Sequence, residues 1–339
     1  FAVSYTDVAQ GILMFLALMI VPIMALFALD NAGEIFSYPL NNPYGPHEEG
    51  NPTFFNFFAG VSAATIIGNL SWGFGYMGQP HIVTRFMALR SPSEAREGRN
   101  AGMIWVGICY IGSVFTAIIG ASYFGTTQHS VTDQEGFETI FLDMTYLLFH
   151  PLFAGLVLTA VLAAIMSTMS SQLLVTSSAL IEDLYRGFAK KELTGRGLLI
   201  ASRGMVVLIA VIAVLMALNP SDTILGLVGF AWAGFGAAFG PVVVASLFWR
   251  RLTAPGAMAC MIVGALTVLV WGYLPATSEL IYEMVPGVLF ATIAMVVVSL
   301  ATKPKPESEA EFDRAGKVFD YAMEHPEQSF DDALEHTPR

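Results

Sequence analysis

Residues 68–81 read Gly68-Asn69-Leu70-Ser71-Trp72-Gly73-Phe74-Gly75-Tyr76-Met77-Gly78-Gln79-Pro80-His81, placing four glycines and a proline in fourteen positions. They sit inside an apolar run from 54 to 89. As one straight helix that run would extend about 54 Å, well beyond the roughly 30 Å of hydrocarbon in a bilayer. An interruption at the glycine-rich segment is therefore expected. Irregular backbone at membrane depth is tolerated where protein buries it or a wet cavity receives it, so a broken helix marks where a carrier holds its cargo. The alternative is a glycine-rich helix packed tightly on its neighbours. Trp72 and Tyr76 share a face if the segment is locally helical, as an apolar packing stripe would also do.

The rest of the chain makes the membrane setting compulsory. Of 339 residues, 55% are hydrophobic and 13% charged, about half the charge a soluble domain carries. Eight stretches qualify as spans or nearly do: 8–29, 54–89, 101–124, 152–180, 198–218, 223–249, 255–274 and 284–301. All 16 Lys and Arg fall in the connections after the second, fourth, sixth and eighth spans or, for Arg85 and Arg203, at the span ends beside them, and the loops 30–53, 125–150, 219–222 and 275–283 hold none. Positive charge is retained on the cytoplasmic side, so residues 1–301 read as a transmembrane domain and 302–339 as a cytoplasmic tail. Residues 137–150 read as a short outer amphipathic helix lying on the surface. The tail is expected to be either disordered or a loosely docked helix around 307–324.

The fourth span carries a second departure from plain apolar helix. Ala164, Ser167, Thr168, Ser171, Val175 and Ser178 fall on one side at a 3.6-residue period. For Ser170, Ser177 and Ser178 the expectation is close helix packing, with each hydroxyl bonded back to a carbonyl of its own helix. For Ser167 and Thr168, ligation of a hard cation together with the Ala164 carbonyl stands beside that packing reading. In the sixth span Gly236 and Gly240 read as a close helix contact.

Several function classes drop out. A net charge of −11 offers no basic surface for nucleic acid. Cys109 and Cys260, the two cysteines, lie in apolar runs and form neither a disulfide framework nor a metal motif. Gly73-x-Gly75-x-x-Gly78 matches the dinucleotide fingerprint formally, but the chain has no strand–helix alternation to give it meaning. No Asp, Glu, Lys or Arg is central in a span, which disfavours a proton relay within these helices. No His-Glu-x-x-His or Gly-x-Ser-Gly is present for intramembrane proteolysis.

Asn69-Leu-Ser-Trp-Gly-Phe-Gly-Tyr-Met-Gly-Gln-Pro-His81, Ala163-Ala-Ile-Met-Ser-Thr-Met-Ser-Ser-Gln-Leu173, Glu182-Asp-Leu-Tyr185 and Ala231-Trp-Ala-Gly-Phe-Gly-Ala-Ala-Phe-Gly-Pro241 strongly resemble, in order, motifs of the sodium:solute symporter family. The resemblance covers roughly residues 1–301 and implies an all-α integral membrane protein with the five-plus-five inverted-repeat (LeuT-like) fold. Eight transmembrane helices would be present, one of them broken, in the cell (inner) membrane. The first span would close repeat one, spans two to six would form repeat two, and the last two would be additions. Five further helices are then expected before Phe1. The resemblance implies Na⁺ as coupling ion and L-proline as substrate. It places Trp72, Tyr76 and Pro80, with the flanking Gly73 and Gly75, on the substrate side, and Ser167, Thr168 and the Ala164 carbonyl on the sodium side. A sodium symporter for another small solute such as pantothenate, or a symporter-like sensory membrane module, is the alternative.

Overall fold

The computed structural model describes residues 2–29, 31, 33–41, 51–56, 58–126, 134–185, 195–218 and 223–337. All regular structure among them is helical. The long helices are α1 (Ala2–Ala28), α5 (Pro92–Thr126), α7 (Pro151–Ser178), α8 (Arg196–Ala217), α9 (Ile224–Phe248), α10 (Ala254–Tyr273) and α12 (Met284–Ala301). Between and after them lie α2 (Glu34–Asn41), α3 (Ala63–Gly78), α4 (Pro80–Met87), α6 (Gln134–Leu148), α11 (Pro275–Ser278), α13 (Pro306–Glu324) and α14 (Phe330–His336). Seven helices among the described residues are long and apolar enough to cross a membrane. The expected second span does not join them, because it is divided into the 16 residues of α3 and the 8 of α4.

That division has a local cause. The Ser62 side chain caps α3 by accepting from the Thr65 amide at 3.1 Å, and the helix then continues unbroken through Gly73 and Gly75 to Gly78. Pro80 has no N–H for the Tyr76 carbonyl and disfavours helical backbone in the residue before it. Gln79 is accordingly extended, at φ −83° and ψ 113°, and Pro80 opens α4. The break is one residue wide, narrower than the 68–81 interruption expected from composition.

What the glycines of α3 do is admit neighbours. A Cβ on Gly75 would fall inside the Trp232 indole. One on Gly78 would lie 2.8 Å from the Gly236 Cα, and one on Gly236 would lie 2.9 Å from the Gly75 Cα. Gly240 approaches the Phe74 carbonyl in the same way. So α3 and α9 meet backbone to backbone, and the Gly236/Gly240 pair makes the close contact its spacing suggested. Gly73 differs, since a Cβ there would meet open space.

The chain divides into two compact units. One comprises residues 1–59 and 102–220, its core formed by α1, α2, α5, α6 and α7 through Val21, Ile35, Ile119, Met144 and Ala160. On the α6 helix, which falls in the stretch expected at 137–150 to be amphipathic, Met144 and Thr145 are fully buried and Tyr146 and Leu147 are exposed, and Ile140 fills the notch at Gly120. Beyond Ser178, α7 passes into a π-helical turn at Ala179–Tyr185.

The second unit comprises residues 60–101 and 221–339. Its core is Ala233, Ala237, Val268 and Met284, joined by Ala245, Cys260, Ala291 and Met295 further along the same helices. Ser91 accepts from the Glu94 amide while Glu94 accepts from the Arg90 amide, a capping arrangement that starts α5 at Pro92, nine residues before the apolar run at 101. The tail is folded against this unit. The Phe330 amide donates to the Arg90 carbonyl at 2.7 Å, the Ser93 amide donates to the Pro326 carbonyl at 3.1 Å, and Arg250 grips Asp313 with two 2.8 Å bonds. Of the two expectations for the tail, docked helix is the one realised.

Candidate functional site

In the second unit Trp72, Gly73 and Tyr76, three of the predicted substrate-side residues, lie along one flank of α3, while Gly75 is on its packed face and Pro80 opens α4. Gly68, Ser71, Gly75 and Gly78 are buried, so Asn69, Trp72, Gly73 and Tyr76, at i, i+3, i+4 and i+7, lie beside that packed face. Trp72 is half-buried and Tyr76 is 49% exposed. The Trp72 ring stacks on Trp232, with centroids 5.9 Å apart and planes at 25°, and on Tyr282 at 6.0 Å and 16°. Tyr76 meets the Trp232 ring edge to face at 4.9 Å.

Polar contacts lock this cluster. Trp232 Nε1 donates to the Trp72 carbonyl at 3.0 Å, and the Tyr282 hydroxyl donates to the Gly229 carbonyl at 2.6 Å. Burial, and secondarily the adjacent Glu283 carboxylate, pushes the Tyr282 hydroxyl well above its ordinary pKa, so it stays a donor at physiological pH. Gln79, buried at the break, makes no side-chain capping bond, and Pro80 follows it. The α3 ladder ends here, within one turn of Tyr76.

Of the residues expected on the substrate side, Trp72 and Tyr76 meet on the Trp232 ring, and Pro80 opens α4 beyond the break. Gly75, also expected on the substrate side, is packed under Trp232. Sequence reasoning singled out neither Trp232 nor Tyr282, which are 160 and 210 positions from Trp72. Trp232 was visible only as the one large residue in Ala231-Trp-Ala-Gly.

The predicted cation oxygens belong to the first unit, on one turn of α7. The Ser167 hydroxyl donates to the Ala164 carbonyl at 2.9 Å, and the Ser167 carbonyl accepts from Ser170 and Ser171. Ala164 and Ser167 are half-buried and Thr168 is exposed. These are neutral oxygens of the kind a hard monovalent cation takes, and a bound ion would replace the Ser167–Ala164 hydrogen bond by ligation to both atoms. Ser170 bonds back within its helix as packing predicts. Ser177 does not: its hydroxyl crosses to the Ser202 carbonyl of α8 at 3.1 Å, because α8 lies close enough there to offer an acceptor.

A sequence model described as Sodium:solute symporter family matches residues 1–264. The chain belongs to the sodium:solute symporter family. Its relatives within reach include the osmoregulated proline transporter OpuE of Bacillus subtilis, 46% identical over 307 residues, covering 89% of this chain and 59% of the relative. The high-affinity proline transporter PutP of the same organism is 43% identical, covering 89% and 61%. A sodium/proline symporter of Haemophilus influenzae is 39% identical, covering 94% and 63%. The chain thus spans about three fifths of the length of these curated relatives. Membership of this symporter family, together with the seven apolar helices, makes it a multi-pass membrane protein.

Proposed function

We propose that the protein is a secondary carrier coupling sodium entry to uptake of L-proline by alternating access. The architecture is the five-plus-five inverted repeat, with eight transmembrane helices of which α3 and α4 together form the broken one. The C-terminal tail and the Arg-bearing connections face the cytoplasm, in keeping with the one-sided distribution of basic residues. The observation that carries the reading is the aromatic flank of Trp72 and Tyr76 ending at the one-residue break at Gln79. Proline is a zwitterion with an apolar ring. Such a ligand needs an aromatic wall for the ring and unpaired polar groups for its charged end. The names of the relatives, proline transporters and a sodium/proline symporter, support the same substrate and ion. Ser167, Thr168 and the Ala164 carbonyl supply oxygens to the sodium ion.

Counterflow tests this directly. Proteoliposomes preloaded with unlabelled proline should accumulate external radiolabelled proline when sodium is present on both sides and much less when potassium replaces it. Pantothenate should not compete. Competition by pantothenate stronger than by unlabelled proline would move the substrate to another solute, and counterflow indifferent to sodium would remove the coupling.

A further inference from the structure

The Trp232 side chain touches the proposed substrate wall in three places at once. Its N–H holds the Trp72 carbonyl at 3.0 Å, its ring stacks on the Trp72 ring at 5.9 Å, and the same ring takes the Tyr76 ring edge to face at 4.9 Å. It does so from α9, a different helix. The contact is possible only because residue 75, between the two aromatics in sequence, is glycine: a Cβ there would occupy the space of the indole. The seat is itself rigid. Ala233 and Gly236, next to Trp232 and one turn on, are buried, and Gly236 meets the Gly75 Cα backbone to backbone.

A helical carbonyl has two lone pairs, and its own helix uses one. The Trp232 N–H takes the other at Trp72, which fixes the rotation of α3 about its axis relative to α9 at the very turn that bears the aromatics. Stacking fixes the Trp72 ring plane, and the edge contact fixes the Tyr76 ring. Generic packing against Gly75 would need only a flat apolar group. A directed N–H bond to one carbonyl is needed only where orientation counts.

We propose that Trp232 is a positioning residue of the substrate site: seated in the notch at Gly75, it sets from α9 the orientation of the Trp72 and Tyr76 wall, and so the ring size the site accepts. This rests on the reading that Trp72 and Tyr76 face proline.

The test is uptake kinetics in membrane vesicles for Trp232→Phe, Gly75→Ala, Trp232→Leu and the Gly75→Ala/Trp232→Leu pair, with uptake normalised to protein amount. Trp232→Phe keeps an aromatic ring and loses the N–H. It should raise the KM for proline about 3- to 10-fold, the range for one lost hydrogen bond, with the sodium half-saturation changed less than about twofold. The ratio of KM for proline to that for its four-membered-ring analogue, azetidine-2-carboxylate, should shift as well; loss of folded protein would lower maximal rate and leave that ratio alone. Gly75→Ala should raise the proline KM in the wild type and cost less in Trp232→Leu, where the smaller side chain leaves room for the methyl, a coupling that independent sites do not show. Normal wild-type uptake with an unchanged proline KM and ring-size ratio in Trp232→Phe would overturn the positioning role alone, as would an equal cost of Gly75→Ala in both backgrounds. A wild type that takes up no proline would overturn the functional reading itself and the positioning role with it.

Discussion

The indole N–H of Trp232 lies 3.0 Å from the backbone carbonyl of Trp72, so two tryptophans 160 positions apart are tied through main chain and ring together. The tie places Tyr76 at the accessible end of the cluster, in contact with Trp232 yet 49% exposed. Tyr76→Ala should therefore weaken proline without dismantling the helix pair. An aromatic contact of about 0.5–1.5 kcal/mol corresponds to a rise of roughly 2- to 10-fold in proline KM. Sodium half-saturation should change less, although linkage between the two ligands requires some reciprocal loss. Uptake across a grid of proline and sodium concentrations measures both, and a larger effect on sodium would contradict the assignment.

On α7 the prediction inverts. Thr168→Ala and Ser167→Ala should each raise the sodium half-saturation roughly 10- to 100-fold, the scale of a lost contact to a charge at about 1.5–3 kcal/mol, while proline binding at saturating sodium changes less. Ser167→Ala also frees the Ala164 carbonyl from its 2.9 Å partner, so its loss should be the smaller of the two. Unchanged sodium dependence in both variants would leave the hydroxyl stripe as helix packing.

How far these sites could be read from sequence depended on the range of the contact that makes each one. The capping residues Ser62 and Ser91 and the stop at Pro80 act within four residues, and sequence displays such signals openly. The width of the break was misjudged because glycine composition cannot distinguish a chain that unwinds from one that admits a neighbour. Gly75 and Gly78 admit α9, and only the position of Trp232 and Gly236 in space decides it. The same limit applies to α6, whose amphipathic pattern does not name Met144 as the residue it buries. Thr168 and Ser167 were legible as a stripe, yet Ser177 on the same helix turned to α8, a partner that periodicity does not reveal.

The tail offers a pH test. Asp313 is held below its usual pKa, first by its hydrogen bonds from Arg250, and the Arg250 guanidinium is raised by the same contact. A carboxyl depressed in the folded state contributes stability above its unfolded value, near pH 3.9, and loses it as pH falls through the lower folded value. Both side chains are about half exposed, so the contribution is small and salt-screened. Hydrogen exchange of the α13 amides should be flat from pH 8 to 5, after correction for intrinsic rates, and protection should fall below about pH 4. Asp313→Asn should remove that acid step. A loss of protection between pH 8 and 6 would assign tail docking to other groups.

Topology can be checked at Glu279, exposed in the connection after α11. Glu279→Cys in a Cys109→Ser/Cys260→Ala background should react with an impermeant thiol reagent in intact cells. A cysteine at Arg251 in the same background should react only in inverted vesicles. The reverse pattern would overturn the orientation drawn from the basic residues.

The most direct measurement of the whole account is proline uptake into vesicles under an imposed sodium gradient with the membrane potential clamped at zero. Coupled symport predicts accumulation of labelled proline above the external concentration, collapse on dissipating the sodium gradient, and no accumulation when potassium or a pH gradient of equal size replaces it. Uptake that only equilibrates, or that a proton gradient drives as well as sodium does, would contradict it.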